Sequence, residues 1–249
     1  MIVRSKLKYF SLVREKLNEN RRILFRGTCF GPWLDLLFFN HEPHMLDYIL
    51  QKQCYVDDAH YDMALIYDVD GRSLHFGRPK FHLITGFRFG KFVSGQSYSS
   101  GDINFKSRVF PKKNGIKLCN LDLVCVLEDE EYFSKLSDED AVRVCLVLVL
   151  EVIFMGRLLT DEVDDKVLRL VDDLHAWNLF PWGEHIWRQL YNQLLNVVSR
   201  HRFQHLSGLE SSSKFVPTYT LSGFVWAFKV IHLFIFFMLY FVNLLSHIY

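Results

Sequence analysis

Lys106, Arg108, Lys112, Lys113 and Lys117 bring five positive charges into one short stretch, interleaved with Phe105 and Phe110. A single-strand nucleic-acid binder uses this mixture, with cations tracking phosphates and aromatic faces stacking on bases. The same residues also describe a basic loop whose phenylalanines are core anchors while the charged ends stay in water. Arg21, Arg22 and Arg26 would extend the patch if folding brought them near.

Other chemistry fails on spacing. Gly86-Phe87-Arg88-Phe89-Gly90-Lys91 has three residues between its glycines where a phosphate loop needs four, and Phe92 stands where a hydroxyl should reach magnesium. A simpler reading is an aromatic-rich turn leaving a helix, since glycine accepts positive φ. Gly95 to Gly101 lacks the GxSxG spacing of a nucleophile elbow and reads as a solvated loop. His41 and His44 are too close for HExxH, and Pro43 would break a ligand helix there. His201 and His205 can share a helix face, but no acidic residue or cysteine lies beside them in sequence.

Asp68-Val69-Asp70-Gly71 places Ser73 where a calcium loop needs its glycine and Pro79 where it needs glutamate, so turn chemistry accounts for it. Cys29 lacks the neighbours of known nucleophile signatures. Cys125 and Cys145 lie in apolar runs expected to raise their pKa rather than activate them. The sequence therefore nominates no catalytic residue, no metal ligand and no cofactor, and implies no small-molecule substrate.

The elements that would position these residues are mostly helical. Leu7, Phe10, Val13 and Leu17 have the spacing of an amphipathic first helix, and Met45–Gln53 reads as a short second one. Met63–Phe76 alternates on either side of an Asp-Gly turn signal, which predicts a hairpin, with the next helix or turn beginning near Pro79. Ser137-Asp138-Glu139-Asp140 is a helix start whose acids suit the positive end of a helix dipole. The run behind it, Ala141–Met155, has only Arg143 and Glu151 as charges and should be the central core helix. Val163, Val167, Leu170, Val171 and Leu174 predict a further helix, and Ile186, Leu190, Tyr191, Leu194, Val197 and Val198 another.

The expected fold class is therefore mainly α (α+β), one helical domain over residues 1–229 with a small β-hairpin, followed by an apolar C-terminal helix in residues 230–249. The chain has 249 residues, half of them hydrophobic, and a net charge of +1. That balance excludes both a disordered acidic tail and a surface that grips phosphates all over. Five scattered cysteines without a CxxC pair exclude a disulfide framework or zinc ribbon and point to a nuclear or cytosolic location. The alternative location is a membrane, through Val230–Leu245. That apolar stretch is interrupted only by His232 and Asn243 and reaches the short edge of the roughly 20 residues a spanning helix needs.

Several words in order carry a resemblance. They are Phe25-Arg26-Gly27-Thr28-Cys29-Phe30-Gly31-Pro32-Trp33-Leu34, Leu74-His75-Phe76-Gly77 and Leu83-Ile84-Thr85-Gly86-Phe87-Arg88-Phe89-Gly90. Further on come Leu136-Ser137-Asp138-Glu139-Asp140, Glu151-Val152-Ile153-Phe154-Met155-Gly156-Arg157, Trp177-Asn178-Leu179-Phe180-Pro181-Trp182-Gly183 and Tyr219-Thr220-Leu221-Ser222-Gly223-Phe224-Val225-Trp226. From about Leu24 to Lys229 the chain resembles a plant-specific domain of unknown function met in transposon-associated proteins, upstream of a ubiquitin-like (SUMO) protease domain. It is also similar to proteins labelled phospholipase-like or aminotransferase-like plant mobile domain. The resemblance implies a mainly helical domain without established catalytic residues, and the accompanying protease would need its own His, Asp and Cys in a separate downstream domain. The expected function is a non-catalytic interaction domain of a transposon-derived plant protein, with a protein partner. The alternatives are a tail-anchored membrane protein and a nucleic-acid accessory domain using Lys106 to Lys117.

Overall fold

A computed structural model describes residues 1–36, 43–91 and 104–230. It is mainly helical, with thirteen helices and a small antiparallel hairpin among the described residues. These residues fall into two compact units: 1–3, 43–89 and 183–230 make one, and 4–36, 90–91 and 104–182 make the other.

The second of these units is built around the run expected to be its core. The helix Asp138–Leu148 starts where Ser137 accepts a hydrogen bond from the Asp140 amide, with three acids in its first turn. Every residue from Ala141 to Phe154 is buried. The run stays helical to its end, but from Val149 to Phe154 it widens into a π-helix. Chain from outside the helix meets carbonyls of this wider turn: Ser5 Oγ donates to the Ile153 carbonyl at 2.7 Å and the Lys6 amide to that of Val152 at 3.5 Å. Phe154 at the end of the π-helix meets the rings of Phe10, Phe30 and Trp33 with centroids 4.8 to 5.9 Å away. Beside Phe30, Gly31 approaches the chain so closely that a Cβ there would lie 2.2 Å from the Arg26 carbonyl oxygen.

The helices Glu19–Arg26, Asn120–Glu128 and Asp165–Asp172 pack on this core rod. Val163, Val167, Leu170 and Val171 face inward as the periodicity predicts. The helix stops at Asp173 instead of running through Leu174, because the Asp173 carboxylate accepts from the His175 and Ala176 amides and starts the next helix, Leu174–Leu179.

In the other unit the hairpin Leu65–Val69/Arg72–Phe76 pairs Leu65 with Phe76 and Val69 with Arg72. Asp70 and Gly71 both take positive φ, 51° and 73°, as a type I′ turn requires. Ile2–Val3 lies parallel to Thr220–Leu221. The helix Arg78–Thr85 ends at Gly86, whose φ is 69° and whose amide donates to the His82 carbonyl, so the aromatic segment does leave a helix there. Tyr67, Phe76, Phe81, Trp187 and Phe228 form the aromatic core. The predicted stretch Ile186–Val198 is two helices, Trp182–Leu194 and Val197–Ser211, broken at Asn196. Asn196 adopts a left-handed φ of 49° while its side chain donates to the Val56 carbonyl and its amide to Gln53.

Among the described residues no helix is long and apolar enough to cross a membrane. The predicted apolar helix of 230–249 lies outside them beyond residue 230, as do Phe92, the Gly95–Gly101 loop, His41 and Glu42.

Candidate docking groove

Folding gives four of the five patch cations partners inside the chain. Lys106 Nζ donates to the Ile116 carbonyl at 2.7 Å, Lys113 lies 2.9 Å from Asp122, and Lys117 lies 3.1 Å from Asp165. Arg108 grips both oxygens of Asp140, at 3.0 and 2.9 Å, and also Asp172 at 2.8 Å. Burial alone would raise the Asp140 carboxyl, but the hydrogen bonds from Arg108 and Arg143 hold it below its ordinary range. The hydrogen bond to Asp165 raises the Lys117 ammonium, and that to Asp122 raises Lys113. Lys112 is exposed in the short 3-10 turn Pro111–Lys113. Phe105 and Phe110 are buried edge-to-face at 6.1 Å, so they anchor the core and offer no face for a base.

The same turn forms one wall of a groove of about 320 Å³. Val109, Phe110 and Pro111 supply its apolar floor, with Lys112 and Lys113 on that side. The opposite wall comes from the helices Asn120–Glu128 and Glu130–Lys135, through Asp122, Cys125, Val126, Asp129 and Tyr132. Two contacts hold the walls in register: Tyr132 Oη donates to the Val109 carbonyl at 2.8 Å, and Lys113 pairs with Asp122 at 2.9 Å. Sequence reasoning found the basic wall and missed the other. The one local signal for it is Asp129, in the acidic run Glu128–Glu131 that follows the apolar stretch Leu123–Leu127, where a cap starts a new helix.

Cys125 corrects an expectation: it is exposed on the groove, because Leu123, Val124 and Leu127 take the inward face of its helix. Cys145 is buried and its thiol is pushed up strongly by desolvation; burial also pushes Cys29 up to about 12. All five cysteines are free. His201 and His205 stack on each other at 5.9 Å and on Tyr219 at 5.7 and 6.2 Å. Tyr219 Oη in turn donates to Asp47, which brings an acid into their neighbourhood that sequence adjacency did not reveal. Among the described residues, no group of three or more His, Cys, Asp or Glu side chains could hold a metal ion.

Two buried carboxylates stand apart from the groove. Glu151, fully buried in the π-helix, accepts from Arg157 at 2.7 Å through one oxygen, and its other oxygen has no partner among the described residues. Desolvation pushes its carboxyl up to about 7 against the opposing pull of Arg157. In the hairpin unit, Glu184 accepts from Arg188 Nε at 2.8 Å, with Arg78 Nη2 2.7 Å from its other oxygen off the hydrogen-bonding direction. Arg188 lies 4.0 Å over the Tyr61 ring. Glu151 is thus tied to Arg157 just past the π-helix, and Glu184 clamps Arg78 of the helix Arg78–Thr85 to Arg188 of the helix Trp182–Leu194.

The family model described as Domain of unknown function (DUF1985) matches residues 50–193, more than half of the chain. No curated protein and no solved structure matches it.

Proposed function

Since the chain belongs to the DUF1985 family, whose description assigns no activity, we propose from its geometry that it is a non-catalytic interaction domain. It docks a partner protein in the groove between Pro111–Lys113 and the helices of Asn120–Lys135, inside the family-matched stretch. The observation that carries this reading is the pairing of charge around an apolar hollow. Four cations are spent on internal contacts, and Lys112 is left exposed beside Val109, Phe110, Pro111 and Val126. An extended segment with one apolar side chain for the hollow and an acidic group for Lys112 matches that lining.

Internal neutralisation also weakens the nucleic-acid reading, because counterion release needs cations free to meet phosphates. From the resemblance in sequence we further propose that the domain is part of a transposon-derived plant protein of the kind that also carries a ubiquitin-like protease domain.

Affinity capture from plant nuclear extract with the wild type and with Val126→Arg, which fills the hollow with a charge, tests the reading. A partner reproducibly held by the wild type and lost by the variant is expected. Equal recovery by both proteins would contradict it.

A further inference from the structure

The groove between Pro111–Lys113 and the helices of Asn120–Lys135 carries two open charges of opposite sign. Lys113 is neutralised by Asp122, and Tyr132 Oη is spent on the Val109 carbonyl. That leaves Lys112 on one wall and Asp129 on the other, both exposed and neither with an ion-pair partner among the described residues. Asp129 stands where the two wall helices meet. Its amide donates to the Cys125 carbonyl at 3.0 Å, and its Oδ1 accepts from the Tyr132 amide at 2.9 Å, which starts the helix Glu130–Lys135. These bonds hold the carboxylate at the groove and leave Oδ2 without a partner among the described residues. The same point is the negative end of the helix Asn120–Glu128, whose last turn contains no basic residue. A cation would be stabilised there, and none of the described residues supplies it.

We propose that the segment docked in the groove carries a basic residue for Asp129 as well as an acidic one for Lys112, on opposite sides of the apolar side chain that enters the hollow. The inference rests on the docking reading above and adds the second charge, which fixes the way round in which the segment lies. Charge complementarity selects this partner. A segment with acidic groups on both sides, or a nucleic-acid strand, would set a like charge against Asp129. One with basic groups on both sides would do the same at Lys112.

Short peptides selected from a random display library on the full chain are the probe, and isothermal titration in double-mutant cycles is the readout, with circular dichroism to verify that each variant folds. The selected peptides carry Lys or Arg on the side of the apolar residue away from the acid. Asp129→Asn keeps an oxygen for the Tyr132 amide and removes only the charge, and it weakens these peptides roughly fivefold. Replacing the peptide's base with Gln costs the same, and the two changes together cost no more than either alone. Removing the peptide's acid instead adds in full to the effect of Asp129→Asn, because that acid faces Lys112. Additive losses from Asp129→Asn and removal of the base would overturn the proposal. Peptides that lack a base yet are lost on Val126→Arg would overturn it and leave the docking reading standing. Peptides indifferent to Val126→Arg, or a selection that enriches none, would sink both.

Discussion

Arg108 holds Asp140 through two parallel hydrogen bonds, and Asp140 passes the contact on to Arg143 at 2.8 Å inside the central helix. One end of the basic patch is thereby tied to the core of its unit. Arg143 also donates to the Val171 carbonyl and to Glu139, so the carboxylate sits at the centre of a fully engaged cluster.

Replacing Asp140 with Asn leaves two guanidinium groups without their shared charge, one of them, Arg143, buried. Asp140→Asn is expected to lower unfolding stability by about 3 kcal/mol, measured by urea denaturation. Lys117→Ala, whose ion pair is exposed, should change it by less than about 1 kcal/mol. Equal effects of the two substitutions would show that the cluster carries no special weight.

Glu151 gives the pH dependence a definite sign. Its carboxyl titrates near 7 in the folded chain against an ordinary value of 4.5, so the folded state binds more protons between those limits. The stabilising contribution is full below about 4.5 and is lost as pH rises through 7. Glu151→Gln removes that dependence, flattening the stability profile between pH 5 and 8 by about 3 kcal/mol. Parallel profiles for wild type and variant would contradict the assignment.

Two glycines separate steric from conformational need. At Gly31 an alanine Cβ meets the Arg26 backbone at 2.2 Å, and Gly31→Ala should cost more than about 3 kcal/mol. At Gly86 the space is open and only the positive φ resists, so Gly86→Ala should cost about 1 kcal/mol. Thermal unfolding followed by circular dichroism ranks them, and the reverse order would refute the local geometry.

Glu184 predicts a further stability effect. Glu184→Ala leaves Arg78 and Arg188 facing each other across an empty site and is expected to cost about 3 kcal/mol. Trp187 donates to the Tyr61 carbonyl nearby, so a loosened clamp should also shift its fluorescence. An unchanged unfolding midpoint and emission maximum would show that the network is dispensable.

Local signals were legible where one residue type dictates one conformation. Asp70-Gly71 forced the hairpin, Ser137 with its acids began the central helix, and Gly86 ended another. The π-helical end of the Ala141–Phe154 run was not legible, because its wider turn is tied to contacts with distant residues, Ser5 and Lys6. Asn196 and Asp173 broke helices that periodicity alone joined, since a cap or a left-handed residue costs no apolar position. The patch was found as a run of charge, but its partners Asp122, Asp140, Asp165 and Asp172 come from other helices, and no linear pattern links them. Cys125 was misplaced for the opposite reason: an apolar neighbourhood in sequence includes the outward face of the helix as well as the inward one.

Docking in the groove is tested most directly by selecting short peptides from a random display library on the full chain. Isothermal titration then compares the winners on wild type and on Lys112→Glu/Val126→Arg. The account predicts peptides that pair an acidic residue with an apolar one and bind the double variant at least about 30-fold more weakly. Peptides that bind both proteins equally, or a selection that enriches none, would contradict it.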